Sequence, residues 1–264
     1  WLKAREVQAC GLRAMPWPGL SQRPRIVGAV VATAAWPATA SWTAGPASHA
    51  WEAESYEFWP SSVTVTRPRR QGEQAALQDA VQQLGEVLLA SALREPSAKK
   101  SNRGGWQSSV PNWLHSMAGA PGAARALAEI QVAVEAHLRG LVELGHLEIP
   151  GGEALVRLVH SWANVNGPQD WNAPHTHPGC DLSGAFYISC PGGPCALSLE
   201  DARLAARQGE ARTLELEEGS TVVFPSWLKH YVAPWADSRS KASDPGGRRI
   251  TVSFNVRVRL RPGQ

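Results

Sequence analysis

Residues 249–259 read Arg-Ile-Thr-Val-Ser-Phe-Asn-Val-Arg-Val-Arg, and this strict alternation limits the fold more than any other stretch of the chain. Side chains alternate across a strand, so Ile250, Val252, Phe254, Val256 and Val258 share one face, and Arg249, Thr251, Ser253 and Asn255 share the other. Such a strand is core on one side and can line a polar pocket on the other. Shorter β-rich runs precede it at 154–165, 182–189, 196–199, 213–216 and 220–224, punctuated by Gly, Pro and Asn. Short strands in succession, with no helix between most of them, predict an antiparallel sandwich or barrel.

Ahead of these runs the period changes. Leu77, Val81, Leu84 and Leu88 recur at helical spacing within 73–94, and Pro96 stops that helix. A second stripe, Leu127, Ile130, Val134, Leu138 and Leu141, predicts a helix over 122–147 that breaks at Pro150-Gly151-Gly152. Both stripes read as core-facing, and His137 and His146 read as ordinary surface or packing residues. Residues 54–65, aromatic and β-branched and closed by Pro68, read as one early strand or extended segment. The expected organisation is helical support over 73–149 and a β-barrel over 153–260, together one domain from 53 to 264.

Residues 1–52 are set apart. No acid lies between Glu6 and Glu52, and Arg13, Arg23 and Arg25 precede an apolar stretch at 26–36 and then Ala38-Thr39-Ala40. This order reads as a low-complexity leader or targeting segment, expected to be disordered. It is compatible with an organelle transit peptide or a secretory signal; without a targeting role the chain would be cytoplasmic, so the compartment stays open.

Lys and Arg number 26 against 23 Asp and Glu, a formal net charge of +3. That balance lacks the basic footprint of a chain that tracks phosphates, so no nucleic-acid partner is implied. No apolar run reaches about 18 residues, so no ordinary transmembrane helix is expected and the mature protein should be soluble. Cys10, Cys180, Cys190 and Cys195 make neither a disulfide framework nor a CxxC pair. A Cys190–Cys195 bridge is conceivable, and free thiols are the expectation.

The chemistry concentrates in Trp171-Asn172-Ala173-Pro174-His175-Thr176-His177-Pro178-Gly179. In extended backbone His175 and His177 point to the same side, so two imidazoles can converge on one metal ion. His230 follows Phe224-Pro225-Ser226-Trp227-Leu228-Lys229, at a separation that suits an early and a late strand meeting at a barrel mouth. Asp181 is the alternative third ligand, which would complete a two-His-one-carboxylate triad if the Pro178-Gly179 turn brought it back. Arg249 opens the alternating strand on its polar face, where a guanidinium fork could hold a carboxylate bidentately, and Thr251 could add a hydroxyl. Read alone, Arg249 could equally be a solvated edge residue like Arg248. Trp162 and Trp171 read as packing or entrance residues.

Taken in order, His175-x-His177-Pro-Gly, Leu182-Ser183-Gly184-x-Phe186-Tyr187, Phe224-Pro225-Ser226-Trp227-Leu228-x-His230-x-Val232-x-Pro234 and Arg249-Ile250-Thr251-Val252-Ser253-Phe254-Asn255 resemble the successive motifs of a 2-oxoglutarate and Fe(II)-dependent oxygenase family. Phe58-Trp59-Pro60 and the run from Ser101 to Ser108 resemble its N-terminal signature. The likeness extends over roughly residues 56–258. It implies a mainly β fold with flanking helices, a double-stranded β-helix or jelly-roll barrel of cupin-like shape. It further implies Fe(II) held by His175, His177 and His230, 2-oxoglutarate as co-substrate anchored by Arg249, and molecular oxygen as oxidant. His177 stands where many members of the wider superfamily carry Asp.

Thr251, Tyr187, Asn164 and Asn172 are the candidates to line the co-substrate pocket, and the prime substrate is unknown. The polar stretch 237–247 reads as a loop insertion before the last strand, and the 2-oxoglutarate assignment fails first if it displaces Arg249. Two other readings stand beside this one: a cupin-like metalloenzyme that does not use 2-oxoglutarate, and a catalytically silent β-sandwich binding module. Nothing in the pattern speaks to oligomeric state.

Overall fold

The computed structural model describes residues 40–43, 51–58, 61–68, 71–149, 153–200, 211–235 and 247–260. Strands β1 (Ala40–Thr43), β2 (Trp51–Phe58) and β3 (Ser61–Pro68) come first, followed by helix α1 (Gln71–Arg94). Two-residue strands β4 (Asn102–Arg103) and β5 (Trp106–Gln107) and the short α2 (Trp113–Ser116) lead into α3 (Ala123–Glu143). The remainder is β: β6 (Glu153–Asn166), β7 (Trp171–His175), β8 (Leu182–Ser189), β9 (Cys195–Glu200), β10 (Ala211–Leu216), β11 (Thr221–Pro225), β12 (Lys229–Val232) and β13 (Arg249–Leu260).

These strands form two antiparallel sheets in a jelly-roll arrangement. The larger runs β1-β6-β13-β8-β11-β3-β2, with β5 added on β6, and the smaller runs β10-β9-β12-β7-β4. Helices α1 and α3 cover one face of the larger sheet, where Leu84, Leu88, Ile130 and Val134 pack on Phe186, Val252, Phe254 and Val256. Its other face meets the smaller sheet through a second cluster that includes Val63, Tyr187, Leu197, Leu199, Phe224 and Leu228. Thus β13 puts its apolar face under the helices and turns its polar face between the sheets, as its alternation predicts.

Gly184 of β8 lies opposite Phe254 in the β13 register. A methyl group there would collide with the Phe254 ring and the Val222 carbonyl, so this strand position requires glycine for close approach.

Several expectations are corrected in detail. The segment expected as one strand over 54–65 is the hairpin β2–β3, paired from Trp51↔Pro68 to Phe58↔Ser61, with Trp-Pro at positions 59 and 60 between the strands. Within the expected leader, Ala40–Thr43 pairs with β6 and β2 already begins at Trp51; the other residues of 1–52 lie outside the described residues. The second helix stops at Glu143 rather than 147 because Gly145 takes a positive φ of 72°, a left-handed turn that ends a helix.

Cys190 and Cys195 are joined in a disulfide rather than free. The Pro191-Gly192-Gly193-Pro194 connection from the larger sheet to the smaller brings their Cα atoms to 5.2 Å. Most of the expected loop insertion, residues 236–246, lies outside the described residues. His137 is a packing residue of α3, 1% exposed, with Nδ1 3.0 Å from Thr64 Oγ1; burial pulls its pKa down to about 4. His146 meets Ser62 Oγ at 3.3 Å.

Candidate metal and co-substrate site

His175 ends β7 and His230 lies on β12, and the antiparallel register sets the two directly opposite each other. His177 follows two residues later, where its backbone N–H donates to the Ser226 carbonyl (2.9 Å) in the turn between β11 and β12. That bond curls the chain back so that the second imidazole rejoins the first. One ring nitrogen from each of the three histidines lies within 4.8 Å of the others. Ring centroids are 4.9 Å apart for His175 and His177, 4.3 Å for His175 and His230, and 5.0 Å for His177 and His230.

Two of these rings are held in a defined tautomer. His175 Nδ1–H donates to the Ala173 carbonyl (2.7 Å) and His230 Nδ1–H to the Leu228 carbonyl (2.9 Å). A carbonyl only accepts, so the proton sits on Nδ1 and each Nε2 keeps its lone pair, the outer-shell arrangement typical of metal-ligating imidazoles. All three rings are held neutral, since burial lowers their pKa values, to about 4 for His177 and about 3 for His230. For His177 and His230 the neighbouring histidines add a smaller depression. Trp162 lies against the His177 ring, with centroids 5.2 Å apart, and is therefore an entrance residue.

Asp181 does not join this group. It is exposed, its Oδ2 accepts from the Val258 N–H (2.8 Å), and its own N–H donates to the Val256 carbonyl (2.9 Å). Gly179, at φ 85°, turns the chain away toward the far half of β13 instead of back to the histidines. Among the described residues the candidate ligand group is the three histidines alone.

The histidines open onto a cavity between the sheets. Arg249, Thr251, Tyr187, Asn164 and Asn172 all line it. Strand register explains why. Thr251 is paired with Asn164 of β6 on one side and Tyr187 of β8 on the other, and Arg249 is paired with Asn166 two residues along.

Arg249 is 4% exposed, with Nη1 donating to the Ala233 carbonyl (3.1 Å) and Nη2 to the Asp170 carbonyl (3.3 Å). It is therefore no solvated edge residue, and the insertion before it has not displaced it. Burial lowers its pKa, opposed by the nearby Tyr187 and Asp170, while burial raises that of the Tyr187 hydroxyl against the pull of Arg249. Asn164 Nδ2 donates toward Thr251 Oγ1 (3.4 Å) and Ser253 Oγ (3.2 Å), and its buried Oδ1 has no partner. Asn172 is fully engaged, accepting from Asn166 Nδ2 (3.1 Å) and donating to Ser101 Oγ (3.4 Å).

Asn166, Ser253 and Ser101 also line the cavity and were not singled out from sequence. The period of two places Asn166 with Asn164 and Ser253 with Thr251, so that signal was present; for Ser101 the signal was the likeness of the 101–108 run to the family's N-terminal signature. Trp171 does not line the cavity. The 101–108 run contributes β4 and β5 and forms one wall of an open groove of about 1530 Å³, which reaches the same histidines from outside.

Residues 160–255, which contain every one of these side chains except Ser101, match the family model described as "Putative 2OG-Fe(II) oxygenase". Over this stretch the chain is similar to the 2OG-Fe(II) oxygenases. The chain is accordingly an oxidoreductase of the Fe(II)- and 2-oxoglutarate-dependent kind, whose cofactors are Fe(II), 2-oxoglutarate and molecular oxygen. No curated protein matches the chain.

Among solved structures, a prolyl-4-hydroxylase from Pseudomonas putida is 18% identical, with 80% of this chain and 94% of that one covered and a TM-score of 0.44. SnoK, a non-heme alpha ketoglutarate dependent carbocyclase from nogalamycin biosynthesis, is 15% identical over 76% of this chain and 82% of its own, with a TM-score of 0.46. HygX from Streptomyces hygroscopicus, solved with nickel and 2-oxoglutarate bound, is 13% identical over 68% and 78%, with a TM-score of 0.38. Among the described residues no helix is long and apolar enough to cross a membrane.

Proposed function

We propose that this oxygenase hydroxylates an organic prime substrate and releases succinate and carbon dioxide, with His175, His177 and His230 holding Fe(II) and Arg249 holding the distal carboxylate of 2-oxoglutarate. One observation carries the reading: three neutral imidazoles converge on the cavity that also receives a buried guanidinium. The donor set suits a divalent first-row metal, since three nitrogen ligands leave positions open for a chelating co-substrate and for oxygen. When bound, the iron and its co-substrate supply the oxidation, in which 2-oxoglutarate, oxygen and a C–H bond yield succinate, carbon dioxide and an alcohol.

What the chain's own residues do follows from their contacts. Bonds to the Ala173 and Leu228 carbonyls orient His175 and His230 and keep Nε2 free of a proton. Arg249 is fixed by two carbonyls before any ligand arrives, so little freedom is lost when it meets a carboxylate. Thr251 and Tyr187, neighbours across β13 and β8, offer hydroxyls beside that guanidinium. Phe224, whose ring centroid is 4.7 Å from that of His230, and Leu197 exclude water from the inner wall.

The test is anaerobic Fe(II) titration with and without 2-oxoglutarate, watching the weak visible charge-transfer band of the chelate. The band should appear only with both components and fade in Arg249→Ala. Iron bound without a band would favour a cupin-like enzyme that uses no 2-oxoglutarate, and no iron binding would favour a silent module.

A further inference from the structure

A polar chain runs along the wall of the inner cavity and ends on a hydroxyl with a proton to give. Asn166 Nδ2 donates to Asn172 Oδ1 (3.1 Å), and Asn172 Nδ2 donates to Ser101 Oγ (3.4 Å). All three residues line the cavity. The chain begins at Asn166, which the β13–β6 register pairs with Arg249, and it ends at Ser101. Ser101 lines both the cavity and the open groove, a place it shares among the described residues with His175, His177 and Trp162. The chain thus connects the guanidinium end of the cavity to the histidine end.

Its polarity is set by the amides. Asn172 Oδ1 is taken up by the Asn166 amide, so Nδ2 faces the serine, and an amide N–H only donates. Ser101 Oγ therefore uses a lone pair there, and its own proton has no acceptor among the described residues. Both asparagines are buried, whereas Ser101 is half-buried and open to a ligand.

The serine is also held in place. Its carbonyl accepts from the Ala173 N–H (2.8 Å) and from Arg103 Nη1 (3.2 Å). Asn102 braces the same turn by accepting from the Lys100 N–H (2.8 Å) and donating to Ser97 Oγ (3.3 Å). Ala173 is the residue whose carbonyl orients His175, so one residue of β7 fixes both the imidazole and the serine.

We infer that Ser101 is a co-substrate-binding residue: its hydroxyl donates to the α-keto carboxylate of 2-oxoglutarate, the end that chelates the metal, while Arg249 takes the other end. This inference rests on the oxygenase reading, because that reading stretches 2-oxoglutarate between Arg249 and the histidines. A carboxylate is the strong acceptor that a free, positioned hydroxyl can meet there.

The experiment is anaerobic titration of the full chain loaded with Fe(II), followed by the charge-transfer band, with two α-keto acids. Pyruvate keeps the chelating end of 2-oxoglutarate and lacks the distal carboxylate. Ser101→Ala should weaken both acids by a similar factor of about ten, the size of one hydrogen bond to a charged group. Iron affinity measured without either acid should stay the same. Arg249→Ala should weaken 2-oxoglutarate alone.

Unchanged affinity for both acids in Ser101→Ala, a loss confined to 2-oxoglutarate, or an equal loss of iron affinity overturns the inference. If the unaltered chain gives no band with 2-oxoglutarate, the oxygenase reading has failed and the inference falls with it. An intact band whose titration Ser101→Ala does not move removes Ser101 alone.

Discussion

Arg249→Lys separates charge from geometry at the inner end of the cavity. The lysine keeps the positive charge but replaces a planar fork with a single ammonium, so the residue can no longer hold two carbonyls and a carboxylate together. A hydrogen bond involving a charged group contributes about 1.5–3 kcal/mol, and each 1.4 kcal/mol is tenfold, so loss of one such bond weakens 2-oxoglutarate binding by roughly 10- to 150-fold. Iron affinity should not change, because Arg249 is no ligand. The Ala233 and Asp170 carbonyls lose a donor, which lowers unfolding stability by about 1–3 kcal/mol. The assay is 2-oxoglutarate titration of the iron-loaded variant by the charge-transfer band, alongside metal affinity and a urea melt. Unchanged 2-oxoglutarate affinity, or an equal loss of iron affinity, would refute the assignment of Arg249 to the co-substrate.

His175→Ala and His230→Ala should each abolish stoichiometric Fe(II) binding, whereas His177→Asp should retain it, since a carboxylate can complete a facial triad; metal analysis after gel filtration decides, and retained iron in either alanine variant counts against the site. Stability of the metal-free chain should fall with acid. His137 and His177 titrate near 4 and His230 near 3 when folded, against an ordinary value of 6.5, so the unfolded chain takes up protons first below pH 6.5. The stability present above that pH is lost as the pH falls toward these folded values, by about 2 kcal/mol per histidine at pH 5. A Tm unchanged between pH 7 and 5 would show that these rings are not held neutral by burial. Gly184→Ala should cost about 1–3 kcal/mol by pushing Phe254 off its position, and a neutral urea midpoint would contradict that packing.

The parts legible in sequence were those whose period is repeated often enough to be seen. The alternation of β13 fixed which of its faces is polar, and α1 and α3 carry several turns of an apolar stripe. The two-residue strands β4 and β5 have no period at all, and they exist because Trp106 and Gln107 add to β6 while Asn102 and Arg103 add to β7. No period therefore marks Ser101 or the groove wall, and only the likeness of the 101–108 run to the family's N-terminal signature points to it.

The place of Asp181 and the pairing of Cys190 with Cys195 both depend on the direction of a turn. Asp181 could complete the triad only if Pro178-Gly179 folded back, and Gly179, at positive φ, instead leads the chain to β13, where the Asp181 N–H meets the Val256 carbonyl. Free thiols are the expectation for Cys190 and Cys195, with a bridge conceivable, and the Pro191-Gly192-Gly193-Pro194 connection crosses between the sheets tightly enough to join them. Both turns are Gly-Pro chemistry whose exit direction is set by the strands they serve, and those strands pair with partners far away in sequence.

The triad was readable for the opposite reason. His175 and His177 need only extended backbone to share a side, and the one long-range fact required, the pairing of His230 with His175, comes from two strands that both end at the same cavity. Arg249 then follows from register alone. Once β13 lies between β6 and β8 with its apolar face on the helices, its first residue has nowhere to point but between the sheets.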